Sequence, residues 1–253
     1  MKQFILVPIF LLSLSCHAWG PTGHRVTGLI AEGYLNKRAK TALEGLLGQS
    51  LAMASTWMDE VRSDSSYDYM VDWHWVTIPD GMTYAQTEKN PKGDVVEAIE
   101  RIVKALKSRS LTRKQEIEHV KALIHLIGDI HQPLHVGTGT DRGGNEVKVR
   151  WFRTDSNLHQ VWDSDMINDT RLSYTELANS LPKPTGKEVT EWQSASVFDW
   201  ATESMGHRKS VYDIGNGKLE YEYSYYHFHI VRKRLLQAGI RIAGILNDIY
   251  GKS

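Results

Sequence analysis

Two segments of the chain repeat one arrangement: His125-Leu-Ile-Gly-Asp129 and His159-Gln-Val-Trp-Asp163 each place a histidine four residues ahead of an aspartate. On a helix, positions i and i+4 share a face about 5–6 Å apart, so each pair can converge on one cation. Imidazole with carboxylate suits Zn²⁺ and related first-row metals. A single such pair is more often a hydrogen bond on a solvated face; two pairs with His135 between them point to metal. Pro133 ends the helix that carries His125 and Asp129, so His135 leaves its axis and need not share that face. Upstream, Asp59 stands in the short amphipathic turn Trp57–Arg62, and Trp73-His74-Trp75 sets a histidine between two large aromatics. Taken alone, a histidine so placed is usually a core residue with one hydrogen bond.

The start of the chain bears on the same chemistry. Lys2, the apolar stretch Phe4 to Leu14 and Cys16-His17-Ala18 read as a secretory signal over residues 1–18 with a small-x-small cleavage site. The apolar stretch is too short to cross ~30 Å of hydrocarbon as a helix. Acylation at Cys16 is the competing reading, for which Ser13-Leu14-Ser15 is a poor lipobox. Cleavage after Ala18 frees the amine of Trp19, whose pKa of about 8 lets it bind a metal near neutrality. Its own carbonyl could close a chelate ring, and His24 would add a third donor. Cleavage also removes the only cysteine, so an exported domain would have no disulfide and metal is a candidate for stabilising it.

These donors need a frame. Hydrophobic residues make up 41% of 253, and 30 Lys+Arg balance 30 Asp+Glu. That composition supports one sizeable core and excludes a disordered chain, a collagen-like fibre or a coiled-coil rod. Near-zero charge also excludes binding that relies on a broad basic surface, so a polyanion must be held by something other than surplus Lys and Arg. No linker or repeat breaks the chain, which reads as one domain over 19–253. Helical spacing runs through Val26 to Tyr34, Ala42 to Leu47, Val95 to Leu106 behind an Asp94 cap, Thr112 to Ile130, Lys187 to His207 and Tyr221 to Tyr250. Asn145 to Phe152 alternates as one arm of a small hairpin, Leu181 to Gly186 is a loop, and residues 63–92 look irregular. The fold class is mainly α, a single-domain helical bundle-like fold with one small β-hairpin. Gly137 to Gly143 lacks the spacing of a dinucleotide fingerprint. His131 lies on a different helical face from His125 and reads as structural or as a support to a ligand, while His119, His207, His227 and His229 sit in helices without a spaced acid partner and read as surface or packing residues.

Taken as a set, the motifs carry more than any one of them. A processed N-terminal Trp, a His five residues on, W-x-D-x-x-R at Trp57–Arg62, W-H at 73–74, H-x-x-x-D-x-H-Q-P-L-H-x-G at His125–Gly137, G-G-N at 143–145 and the His159–Asp163 pair occur in this order. From Trp19 to about Asp163 the chain resembles the zinc-dependent single-strand-specific nucleases of plants, fungi and bacteria, the nuclease I family, itself related to bacterial zinc phospholipase C. The resemblance implies a cluster of three Zn²⁺ in a surface cleft. One zinc would take Asp59, His74, His125 and Asp129. A second would take the amine and carbonyl of Trp19, His24 and Asp129 as a bridge. A third would take His135, His159 and Asp163.

It further implies an exported endonuclease that hydrolyses single-stranded DNA and RNA to 5′-phosphate products, with 3′-nucleotidase activity on 3′-mononucleotides. Closely spaced cations can bring the pKa of a water toward about 7 and so supply the nucleophile. Asp59 would orient it, and Arg62 would support Asp59 or touch a phosphate. Trp75 corresponds to a base-stacking position and Asn145 to a nucleotide-contacting amide, although Trp75 as core filling is an equal reading. The expected form is a monomer with no obligate protein partner and no membrane span. Thr77 and Ser164 replace acids or amides found in some members, and Asn168-Asp-Thr170 is the sequon present. The alternatives are a zinc phospholipase C acting on lipid phosphodiesters, or a non-catalytic exported zinc-binding protein.

Overall fold

Pro21 opens the first helix, Pro21–Tyr34, where a missing N–H costs nothing because first-turn donors lack an intrahelical acceptor. That helix turns Val26, Ile30 and Ala31 inward and carries His24 on its first turn. The computed structural model describes residues 19–252; the signal read at Met1–Ala18 and the reading of Cys16 lie outside the described residues. Asn36 caps the next helix, Lys37–Leu47, which closes on left-handed Gly48.

The molecule is mainly helical. Asp94 accepts from the Val96 and Glu97 amides and starts Val95–Ser108. Thr112 and Gln115 form a capping box at the head of Arg113–Ile130, whose Val120, Leu123, Ile124 and Ile127 are completely buried. Burying each such side chain contributes about 1.5–3 kcal/mol. The 30-residue Tyr221–Tyr250 helix buries residues all round its middle, from Leu235 to Ile242, which is why its apolar spacing is only roughly periodic. It crosses the first helix so tightly that a Cβ on Gly239 would lie 2.5 Å from Ile30 Cβ. The Asn247 side chain then accepts from the Asn36 amide and donates to the Tyr34 carbonyl.

Two details depart from the sequence reading. The Lys187–His207 pattern is two helices, Gly186–Ser194 and Val197–Gly206: Ala195 is extended, and Ser196 with Asp199 makes a capping box that starts a new helix. The segment 63–92 is also more regular than expected, since Ser65–His74 is a 3₁₀ helix that stops at extended Trp75.

The expected hairpin pairs Lys148–Trp151 antiparallel with Thr154–Asn157, and Lys218–Leu219 adds a parallel strand on its other side. A second, two-residue parallel pair joins Val76–Thr77 to Val136–Gly137. Short as it is, this pair ties the chain just after Trp75 to the chain just after His135.

Candidate metal centre and adjoining cleft

Asp129 stands on the last turn of the Arg113–Ile130 helix with its two oxygens turned to different partners. Oδ2 lies 2.9 Å from His74 Nδ1 and 3.4 Å from His125 Nε2, while Oδ1 lies 3.4 Å from His24 Nε2. Asp59, on the Trp57–Glu60 turn, comes within 4.0 Å of His125 Nε2. Asp163 holds the second cluster, 3.0 Å from His159 Nε2 and 3.8 Å from His135 Nε2. Donor atoms thus gather in three sets, each within 4.8 Å: His24, Asp59 and His125; His74, His125 and Asp129; His135, His159 and Asp163. The division differs slightly from the expected one, because His24 groups with Asp59 and His125 as well as facing Asp129. Trp19 is completely buried against the first helix. The next amide, Gly20 N–H, donates to the Asp163 carbonyl at 2.7 Å and pins the segment beside the third set.

Local chemistry aims the rings. His125 donates Nδ1–H to the Ser55 carbonyl at 2.7 Å, His135 to the His74 carbonyl at 2.6 Å and His159 to the Gly143 carbonyl at 2.6 Å. Each bond fixes the tautomer and leaves the Nε2 lone pair pointing into the cluster, as metal-binding imidazoles require. His74 is reversed and presents Nδ1. Gly128 makes room for His24: a Cβ there would sit 2.9 Å from His24 Nδ1. Gly143 adopts φ +61°, and a Cβ would collide with the Leu134 carbonyl at 2.4 Å. The His159–Asp163 pair is not on a plain α-helix as its spacing suggested; an α-turn, Leu158–Gln160, widens into a π-helix, Val161–Asp165.

The donor set fits cations. Both Asp59 oxygens, Asp129 Oδ1 and His135 Nε2 are buried with no hydrogen-bond partner among the described residues. Acceptors gathered without donors are costly unless positive charge joins them. Burial, reinforced by Asp59 and Asp163 and opposed by His125, pushes the Asp129 carboxyl well above its ordinary range. Burial raises Asp163 too, against the pull of His159. Burial and the neighbouring His159 hold His135 well below its usual value. A bound cation reverses the balance for the carboxylates and keeps the imidazoles neutral.

Beside the third set lies a cleft of about 230 Å³ lined by Trp75, Thr77, Gly137, Arg142, Asn145 and His159. Trp75 is half-buried on one wall; Asn145 stands on the other, its amide donating to the Arg142 carbonyl at 2.9 Å. Arg62 is placed with Asp59, Nη1 to Oδ1 3.6 Å. A larger groove near Tyr226 contains none of these residues.

Gln132 was not singled out from the sequence, yet its Nε2 donates to Asp163 Oδ1 at 2.6 Å while its Oε1 accepts from the Leu134 amide. An amide preceding Pro133 between two histidines was the available signal. Arg142, exposed in the cleft, lies inside the glycine-rich stretch Gly137–Gly143, which the sequence reading weighed only as a dinucleotide fingerprint and set aside. The remaining histidines are where a structural role puts them: His131 is buried between the Ile127 carbonyl and Arg241, and His227 packs on Tyr223.

The family model described as S1/P1 Nuclease matches residues 19–251. Endonuclease 2 of Arabidopsis thaliana is 29% identical over 99% of this chain and 97% of its own length. Endonuclease 4 of the same plant is 32% identical, over 92% of this chain and 89% of its own. Nuclease P1 of Penicillium citrinum is 29% identical, over 92% of this chain and 98% of its own.

Proposed function

The chain belongs to the S1/P1 nuclease family of zinc-dependent single-strand nucleases, phosphodiester hydrolases, and on that premise we propose that it is an exported three-zinc endonuclease acting on single-stranded DNA and RNA. Its products carry 5′-phosphates, and it also removes the 3′-phosphate of 3′-mononucleotides. The observation that carries this reading is the convergence of eight side chains from five separate segments into three donor sets beside an aromatic-walled cleft.

In this reading the zinc ligands are Asp59, His74, His125 and Asp129; Trp19, His24 and Asp129; and His135, His159 and Asp163. Bound zinc supplies a water whose pKa is lowered toward about 7 and neutralises charge on phosphoryl oxygens. Asp59 orients the attacking water through carboxylate oxygens that no protein donor occupies. Arg62 holds Asp59 from one side and, being partly exposed, offers its charge to a phosphoryl oxygen. Gln132 fixes the rotamer of Asp163. Trp75 offers a ring face to a base, an interaction of about 1–3 kcal/mol that tolerates any sequence, and the Asn145 amide meets the base edge. A duplex keeps its base faces stacked, so the cleft selects unpaired strands.

Residues 1–18 form the removed signal, and residues 19–253 the single nuclease domain, active as a monomer. No helix among the described residues is long and apolar enough to cross a membrane.

The test is a side-by-side assay of processed protein on denatured DNA, duplex DNA, RNA, 3′-AMP and phosphatidylcholine, with elemental analysis of the same sample. Near three zinc per chain and turnover of unpaired substrates are expected. Lipid turnover with inert nucleic acid would make it a phospholipase, and bound zinc without any turnover would make the metal structural.

A further inference from the structure

One short helix, Arg208–Val211, reaches both walls of the cleft without entering it. Arg208 begins it and is only 5% exposed. Its Nε donates to the Val136 carbonyl at 2.7 Å, Nη1 to the Ile78 carbonyl at 2.8 Å and to Asp80 Oδ1 at 3.1 Å, and Nη2 to the Gly137 carbonyl at 2.9 Å. Those carbonyls belong to the parallel pair and its continuation, the wall that presents Trp75 and Thr77. Four residues on, Tyr212 donates its hydroxyl to Asp141 Oδ2 at 2.7 Å. The other oxygen of Asp141 accepts the Gly144 amide at 3.0 Å, which holds the turn that presents Arg142 and Asn145 and whose Gly143 carbonyl orients His159.

A two-residue strand pair has too few ladder bonds to fix its own position. Here a guanidinium, rigid and planar, collects carbonyls from both strands' ends at once. Burying that charge is costly unless its donors are satisfied, and most of them are spent on this one wall. On the opposite wall Asp141 is held by Tyr212, the residue that caps the end of the same helix.

We infer that Arg208 and Tyr212 are positioning residues that set the gap between Trp75 and Asn145, and with it the affinity for a nucleotide base. The inference rests on the cleft being the nucleotide site proposed above. Neither side chain contacts a donor of the three sets directly, so the brace acts first on the cleft walls, and its link to the donors is the Gly143 carbonyl that orients His159.

The experiment compares Arg208→Lys and Tyr212→Phe with the wild type, all with zinc bound. Calorimetric titration with 5′-dAMP is expected to give a Kd raised roughly ten-fold in each variant, the scale of a lost charged hydrogen bond and a misplaced contact. KM for denatured DNA should rise in parallel, with kcat and cleavage of an abasic single strand unchanged at matched zinc occupancy. A variant with a lower Tm but wild-type Kd and KM would overturn the inference, as would an equal loss on abasic and base-bearing strands. Tyr212→Phe removes one hydroxyl and keeps the ring, so it decides the matter if Arg208→Lys does not fold. A wild type that neither binds dAMP nor cuts denatured DNA would instead sink the functional reading and the inference with it.

Discussion

His135 donates its Nδ1–H to the main-chain carbonyl of His74 at 2.6 Å. The first belongs to the donor set around Asp163 and the second to the set around Asp129, so one hydrogen bond couples the two clusters. The Val76–Thr77 and Val136–Gly137 pair continues the same contact along the backbone. Displacement of either histidine is therefore felt by the other cluster.

Asp129 turns its two oxygens to different donors, Oδ1 toward His24 and Oδ2 toward His74 and His125, as the proposed bridge requires. Asp129→Asn is expected to release two of three zinc ions and lower kcat/KM on denatured DNA by at least about 10²-fold, the scale of removing one preorganised charged group. Elemental analysis and steady-state kinetics check this; full turnover by the variant would contradict the bridging role.

Gln132 is not among the proposed ligands; its Nε2 holds Asp163 and its Oε1 accepts the Leu134 amide beside His135. Gln132→Leu should leave the fold intact and weaken the His135–His159–Asp163 site roughly 10- to 100-fold, as loss of an outer hydrogen bond to a ligand does. Chelator competition measures it, and an unchanged third-zinc affinity would remove Gln132 from the account.

Trp75 is half-buried at the cleft wall. If its ring stacks on a base, Trp75→Ala should weaken substrate binding by about 1–3 kcal/mol, seen mainly in KM, and Trp75→Phe should recover most of it. If the ring merely fills space, Trp75→Ala lowers Tm and leaves KM where it was.

A single residue added ahead of Trp19 would convert the amine proposed there into an amide, whose nitrogen lone pair is delocalised and no longer a ligand. The extended protein should bind one zinc fewer than correctly processed protein. Three tightly held zinc ions in the extended form would exclude the amine.

His207 titrates at about 4, brought down by burial first, then by Arg234 and Lys233, with Glu203 pulling the other way and His229 adding slightly to the decrease. The unfolded chain protonates this imidazole near 6.5, so it binds the proton before the folded state does. The contribution is complete above pH 6.5 and is lost as pH falls toward 4. A Tm-versus-pH curve for His207→Gln should be flatter than wild type across that window; ligand titration is common to both proteins, so the difference between the curves isolates His207. Parallel curves would show that the group does not contribute.

The clustered donors were readable because metal chemistry restricts residue type and the helix restricts spacing: His125 with Asp129 and His159 with Asp163 could be paired from sequence, and Asp94 and Thr112 marked helix starts. Gln132, Gly128, Arg208 and Tyr212 were not, since each acts on a carboxylate, carbonyl or ring brought near by tertiary packing rather than by spacing. The break at Ala195 had a local signal, Ser196 three residues ahead of Asp199, but apolar periodicity continued across it and obscured it. The π-turn at Val161–Asp165 left no trace in composition.

The last helix is the partner on which the first one rests, through Gly239 against Ile30 and through Asn247 against Tyr34 and Asn36. The candidate centre is thus closed like a clasp: the segment bearing His24 is made some two hundred residues before the helix that supports it. A chain clipped ahead of Gly239 retains every proposed ligand and loses the bed under the His24 helix, so damage far from the chemistry is expected to disarm it.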